Sequence, residues 1–236
     1  EIGVRLVGSE MCIRDRYYGG FNVFLSFSES NKVKVGSEVA GKGKTATSTY
    51  SIYQSAGCVL TLDTYNEVMH YFADPETTGG QGAGFGFEGD FEFNVLDLQD
   101  EKITLKGRKT GSTMTMTPMP VSMSWDDYIV ALKEEESAIS KHTRIRYQTA
   151  DNKYDGRING RTLEIFSEVD GEQVTTSYPF IFNLMGVTFY KPLELGDERI
   201  DGLVYNPDMA DGGAFIPVND GAEGYFVPTY PTITDY

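Results

Sequence analysis

Residues Cys58 to Pro75 read C-V-L-T-L-D-T-Y-N-E-V-M-H-Y-F-A-D-P, and within them the hydrophobic period changes from two to about three and a half. Val59, Leu60 and Leu62 read as the end of a buried strand. Thr64, with Glu67 three residues later, forms a capping-box pattern before an apolar run, which predicts a short helix. On a helical wheel Tyr65, Val68, Met69 and Phe72 share one face, and Glu67, His70 and Asp74 share the opposite one. A strand reading would leave no polar side, because Val68, His70 and Phe72 would alternate with Met69, Tyr71 and Ala73. The short coil therefore interrupts what is otherwise a run of β-structure.

Upstream, Phe21, Val23, Leu25 and Phe27 alternate, Ser28 to Asn31 supply a turn, and Val33 and Val35 continue on a return strand. Ala40 to Lys44 is a Gly and Lys loop, and Thr45 to Tyr53 makes a third strand. Downstream, a loop over Glu76 to Gly89 precedes Phe91, Phe93 and Val95. Gln99 to Glu101 then turns the chain into Ile103 and Leu105, and Thr110-Gly111 turns it into Met114 and Met116. After Pro118 and Pro120, Ser124 is placed to cap a long helix from Trp125 to about Lys141. Asp126 and Asp127 occupy its first turn, Trp125, Ile129, Leu132 and Ile139 form its apolar stripe, and Glu134 to Glu136 form a solvated face. The remainder is again β. Asn159-Gly160 and Asp170-Gly171 are two-residue hairpin signals; Val187, Phe189 and Leu193 make a short strand; irregular loops beyond Asp208 lead to a final aromatic strand near Tyr225 to Val227.

The chain has 236 residues, enough for one large core or two smaller ones without help from disulfides or metal. Abundant Tyr, Phe and Gly with a single Trp fit an all-β, mainly antiparallel class. A formal charge of -15 argues against nucleic acid and against an anionic membrane surface as partner, since both select a basic footprint. No apolar run approaches the roughly 20 residues a spanning helix needs. Leu6 to Arg16, L-V-G-S-E-M-C-I-R-D-R, resembles the translated frame of a transposase-type sequencing-library adapter, so residues 1–16 carry no fold or function argument at this level. Setting them aside removes three basic and three acidic residues and leaves the charge unchanged. It also leaves Cys58 as a single thiol, expected in the core.

Motifs that suggest chemistry are incomplete. Gly84-x-Gly86-x-x-Gly89 is followed by an alternating strand where a dinucleotide site needs a helix. Gly43-Lys44-Thr45 ends like a phosphate loop, but Glu38 stands where its first glycine belongs. Asp151 to Gly156 imitates a calcium loop, yet Lys153 replaces an oxygen donor, so a turn is expected there. His70 and His142 are the only histidines, and no Gly-x-Ser-x-Gly elbow accompanies them. Glu67, His70 and Asp74 have the spacing of a helical metal face, but a polar surface with local pairs is the simpler explanation. We expect no catalytic set, no metal and no cofactor. The candidate ligand-binding residues are Asp63, Asn66, Glu67, His70 and Asp74.

Tyr18-Gly19-Gly20-Phe21-Asn22, Leu60 to Glu67, His70 and Asp74-Pro75 together resemble the family called domain of unknown function 4302. Gly89-Asp90-Phe91-Glu92-Phe93 and Leu105-Lys106-Gly107-Arg108-Lys109-Thr110-Gly111 extend the resemblance. It implies secreted lipoproteins of Bacteroidetes-type bacteria associated with outer-membrane nutrient import. No established activity comes with it, so no catalytic role is carried over. In such relatives a signal peptide, a lipidated cysteine and a leading strand precede the position of Tyr17, which would make the membrane a partner only through a lost lipid anchor.

The expected layout is a lipocalin-like barrel or sandwich over residues 17–120, a linking helix over 121–141, and a second β region over 142–236. The expected function is a non-catalytic surface or periplasmic component that captures a glycan or peptide, alone or with import proteins. A carboxylate-dependent glycan hydrolase and a structural partner of an import complex are the alternatives.

Overall fold

The computed structural model describes residues 5–12, 19–74, 76, 86–87, 89–120, 122–149, 152–169, 171–210 and 212–229. Two compact units divide within the long helix, after Val130, and Gly19 belongs to the second.

In the first unit, β1 (Arg5–Cys12), β2 (Asn22–Phe27), β3 (Lys32–Ser37), β4 (Thr45–Gln54), β5 (Cys58–Leu62), β6 (Glu92–Gln99), β7 (Lys102–Gly107) and β8 (Thr113–Pro118) each pair with the strand before and after, all antiparallel. The ring closes where β1 pairs with β8. The expected barrel or sandwich is thus a barrel of up-and-down order. Its closing strand comes from the adapter-like stretch, which is possible because ladder bonds use main-chain groups that every sequence carries. Alternation sends Val23, Leu25, Val33, Val35, Leu105, Met114 and Met116 inward, and all are essentially inaccessible. The α1 helix (Glu67–His70), continued by a 3₁₀ turn over Tyr71–Ala73, adds Val68, Met69 and Phe72 to this cluster. It stoppers the end of the barrel at which β5 finishes.

Three readings around this stretch are corrected. The cap of α1 is Asn66, whose Oδ1 accepts the main-chain N–H groups of Val68 and Met69 at 3.2 Å each. Thr64 instead accepts the Thr49 N–H at 3.1 Å through its hydroxyl. Because the helix begins later than the pattern suggested, Tyr65 lies outside its buried face and is 73% exposed. Cys58 is exposed, since it opens β5 opposite Gln54 beyond the buried part of the barrel. Most of the loop over 76–89, Gly84 included, lies outside the described residues.

The second unit holds β9 (Arg144–Gln148), β10 (Lys153–Asn159), β11 (Thr162–Val169), β12 (Glu172–Asn183), β13 (Gly186–Leu195), β14 (Glu198–Asn206), β15 (Ala214–Pro217) and β16 (Tyr225–Pro228). They too form a closed antiparallel barrel, with β16 returning to β9. Strand β10 occupies most of the segment expected to be a turn, because Asp155 and Gly156 find ladder partners in both β9 and β11. The first hairpin is shifted by one residue from the Asn159-Gly160 reading. Asn159 pairs with Thr162, so Gly160 and Arg161 are the central pair, and Gly160 takes φ +57°. Glycine at the first central position is the pattern of a type II′ turn. Across the second dipeptide Val169 pairs with Glu172; Asp170 lies outside the described residues. Phe180, Val187, Phe189, Leu203 and Phe215 converge in the interior around a small cavity of ≈ 10 Å³.

Ser124 caps α2 (Trp125–Ile139) as expected, its hydroxyl accepting the Asp127 N–H at 3.1 Å. The glutamates are not all a solvated face. Glu136 accepts from Arg161, itself only 8% exposed, at 3.0 Å, and Glu135 Oε1 is buried without a donor among the described residues. Burial alone would raise the Glu136 pKa, but Lys133 and Arg161 outweigh it and hold the carboxyl below its ordinary value. Burial raises that of Glu135. No helix among the described residues is long and apolar enough to cross a membrane.

Candidate functional site

The five candidate residues surround the start of α1 in the first unit, but they do different things. Asn66 is 1% exposed and used at both ends of its side chain, since Nδ2 also donates to the Ser48 hydroxyl at 3.2 Å. It positions the surface from below. Asp63 is exposed and accepts from the Ser51 hydroxyl at 2.9 Å. Glu67, in the first turn of α1, points to solvent. Asp74 follows the 3₁₀ turn, where its carboxylate accepts the Glu76 N–H at 2.9 Å.

His70 is the centre of this surface. Its ring lies 4.9 Å from that of Phe91 and nearly parallel to it, and 4.5 Å from that of Tyr65 on a tilt of 43°. Nδ1 lies 2.9 Å from the carbonyl oxygen of Asn66, one turn earlier. His70 thus lies between Phe91 and Tyr65 and backs a tyrosine most of which faces water. Tyr71, 37% exposed, continues the aromatic surface through Phe87, at 6.0 Å between centroids. No group of three or more His, Cys, Asp or Glu side chains among the described residues is arranged to hold a metal ion. Chemically, the surface offers flat apolar rings bordered by the acceptor carboxylates of Asp63 and Glu67.

A second feature was not legible in sequence, because it depends on cross-strand neighbours. On the outer face of the first barrel, Phe24 faces Gly36 and Gly36 faces Thr45, while Ser26 faces Lys34 and Lys34 faces Thr47. Trp125 lies over the first row. Its ring is 5.7 Å from Phe24 at 28° between planes, and a Cβ on Gly36 would come within 3.0 Å of it. Tyr128 meets Phe24 edge-on at 5.3 Å, and burial, reinforced by the nearby Glu38 carboxylate, pushes its pKa up to about 12. Lys34 Nζ stands 5.4 Å from the Trp125 centroid, and Asp126 Oδ1 accepts the Gly43 N–H at 2.8 Å. Ser26, Lys34, Gly43, Thr45, Trp125 and Asp126 border an open groove of ≈ 520 Å³. Trp125 Nε1 is buried without an acceptor among the described residues.

The motif residues after the helix have a structural use. Asp90, 2% exposed, accepts the N–H groups of Lys109 at 3.0 Å and Thr110 at 3.1 Å, the Ser112 hydroxyl at 3.1 Å and the Thr110 hydroxyl. It therefore ties the β7–β8 hairpin loop to the barrel wall. Gly107 is required beside it, because a Cβ there would lie 1.9 Å from Asp90 Oδ2. These are the residues that carried the sequence resemblance. The family model described as Domain of unknown function (DUF4302) matches residues 11–207, which is most of the chain. No curated protein and no solved structure matches it. With both strand series accounted for and the matched motif residues placed in the wall of the first barrel, the chain belongs to the DUF4302 family.

Proposed function

We propose that this protein is a non-catalytic binding component of nutrient uptake at the bacterial outer surface, and that it takes a glycan on the face built from Tyr65, His70, Asp63 and Glu67. The observation that carries the reading is the exposed Tyr65 ring backed by His70 and Phe91. A large aromatic left in water but backed by another ring loses little entropy when a sugar ring stacks on it, and the carboxylates alongside accept sugar hydroxyls. Two further features favour a surface site. Phe180, Phe189, Leu203 and Phe215 pack the second barrel interior around a cavity of ≈ 10 Å³, and the first is stoppered by α1. The polar side chains of the face are used to hold structure: Asn66 caps, Asp63 meets Ser51, and His70 Nδ1 meets the main chain. That arrangement favours binding over the hydrolase alternative. Display through a lipid anchor is the remaining part of the proposal, and it rests on the family resemblance.

Calorimetric titration with neutral oligosaccharides and with peptides tests it. We expect heat with a glycan, weakened about tenfold or more, equivalent to about 1.4 kcal/mol, in Tyr65→Ala, a change that leaves the fold intact because the ring is exposed. Heat with peptides alone, or sugar release from the glycans, would sink the reading.

A further inference from the structure

Strand alternation fixes which side chains of β4 face outward. Ala46, Ser48 and Tyr50 belong to the interior, Ser48 being 3% exposed and Ala46 and Tyr50 packing on the core cluster. Thr45, Thr47, Thr49 and Ser51 therefore form a row on the outer face. Thr45 borders the Trp125 groove. At the other end Ser51 donates to Asp63, beside Tyr65. Thr49 exchanges bonds with the segment just before Tyr65, its carbonyl accepting the Asp63 N–H at 2.9 Å and its N–H meeting the Thr64 hydroxyl at 3.1 Å, so at about 3.3 Å per residue the row joins the groove at Thr45 to the aromatic face over roughly 13 Å.

We propose that the groove beside Trp125 is a second saccharide subsite, and that the outer hydroxyl row of β4 is the track along which one oligosaccharide runs between it and Tyr65. The groove stands on its own geometry, whereas the continuous ligand rests on the reading of Tyr65 given above. The chemistry of the groove selects a neutral polyhydroxyl chain. Lys34 can only donate and Asp126 can only accept, while the Ser26 and Thr45 hydroxyls do both. A ligand whose own groups both donate and accept satisfies this set, whereas an anion would face Asp126 and a cation would face Lys34. A peptide is disfavoured for a topological reason. β2, β3 and β4 are each hydrogen-bonded on both sides, so no free edge is available for strand addition.

Trp125 is the single tryptophan of the chain, so its fluorescence reports this groove alone. The test titrates the whole protein with neutral glucan, xylan and mannan oligosaccharides of increasing length, following Trp125 emission and calorimetric heat together. The expected result is an emission shift, affinity that rises about tenfold or more from monosaccharide to the longest chain, and loss of that gain in Thr47→Arg. Thr47 is exposed and stands midway along the track, so the substitution obstructs it without touching the core. Lys34→Ala and Asp126→Asn should each weaken the emission response severalfold. Heat that is lost in Tyr65→Ala but accompanied by no emission shift at any length would overturn the groove and leave the Tyr65 face standing. An emission shift that survives Tyr65→Ala and gains nothing with length would overturn the shared track. Silence of both signals across the panel would remove this inference and the surface-binding reading together.

Discussion

Asn66 and Asp90 show how single buried polar groups shape the surface of the first barrel without forming part of it. Asn66 satisfies two of the N–H groups that a helix leaves open at its start, and it reaches Ser48 as well. Replacing it with Ala removes the cap and leaves Ser48 short of a donor, so we expect a loss of about 1–2 kcal/mol in chemical denaturation. Loss of ligand at Tyr65 should accompany it, because α1 positions His70. Asp90→Ala strands several donors in the 108–112 loop at once, and a cost of about 2–3 kcal/mol is expected in the same assay. If either variant unfolds at the unchanged denaturant midpoint, these contacts do not hold the loops. Both roles were only half visible in sequence. The spacing around Thr64 and Glu67 announced a helix start, but Thr64 was drawn away by the Thr49 main chain, a partner fifteen residues distant that no local pattern contains.

Element boundaries followed the same logic. The long helix was legible because Ser124, the two aspartates and the apolar stripe all act within a few residues of one another. Its acidic run was misjudged because Arg161 comes from a hairpin turn far along the chain. Glu136 now makes a prediction with a definite sign. Its folded pKa lies below the ordinary glutamate value of about 4.3, so it stabilises the protein above that range, and the contribution disappears as pH falls through the folded value. Glu136→Gln should therefore cost about 1 kcal/mol at neutral pH, mainly by taking the charge out of the bond to the buried Arg161. Denaturation midpoints measured down a pH series should show the gap between wild type and variant closing in acid. A gap that is constant with pH would mean that the ion pair contributes nothing.

For the molecule as a whole, the decisive property is that its two β series each close on themselves. Closure removes exposed sheet edges, which blunts self-association through strands, and the proposed glycan would be met by side chains on outer faces. In the second barrel the interior is used up by packing. Phe215 is 1% exposed there, and cutting it to Ala should cost about 3–5 kcal/mol and leave a dry cavity. Guanidinium titration measures the cost, and stabilisation of the variant, though not of the wild type, by benzene would report the cavity. Wild-type stabilisation by benzene would show that the barrel holds a usable internal site.

By itself, the amino-acid sequence determined the class of this protein: antiparallel ribbons, two interrupting coils, an acidic surface and a family whose motifs surround Leu62 and Asp90. Those properties are written in alternation, turn chemistry and caps, which act between residues close along the chain. Only the tertiary structure decided that both series close into barrels, that Tyr65 faces water, that Cys58 is not in the core, and that Trp125 rests on Gly36 beside a groove. Closure, exposure and cross-strand contact depend on register between distant segments, and register arises from the packing of the whole interior rather than from any one stretch.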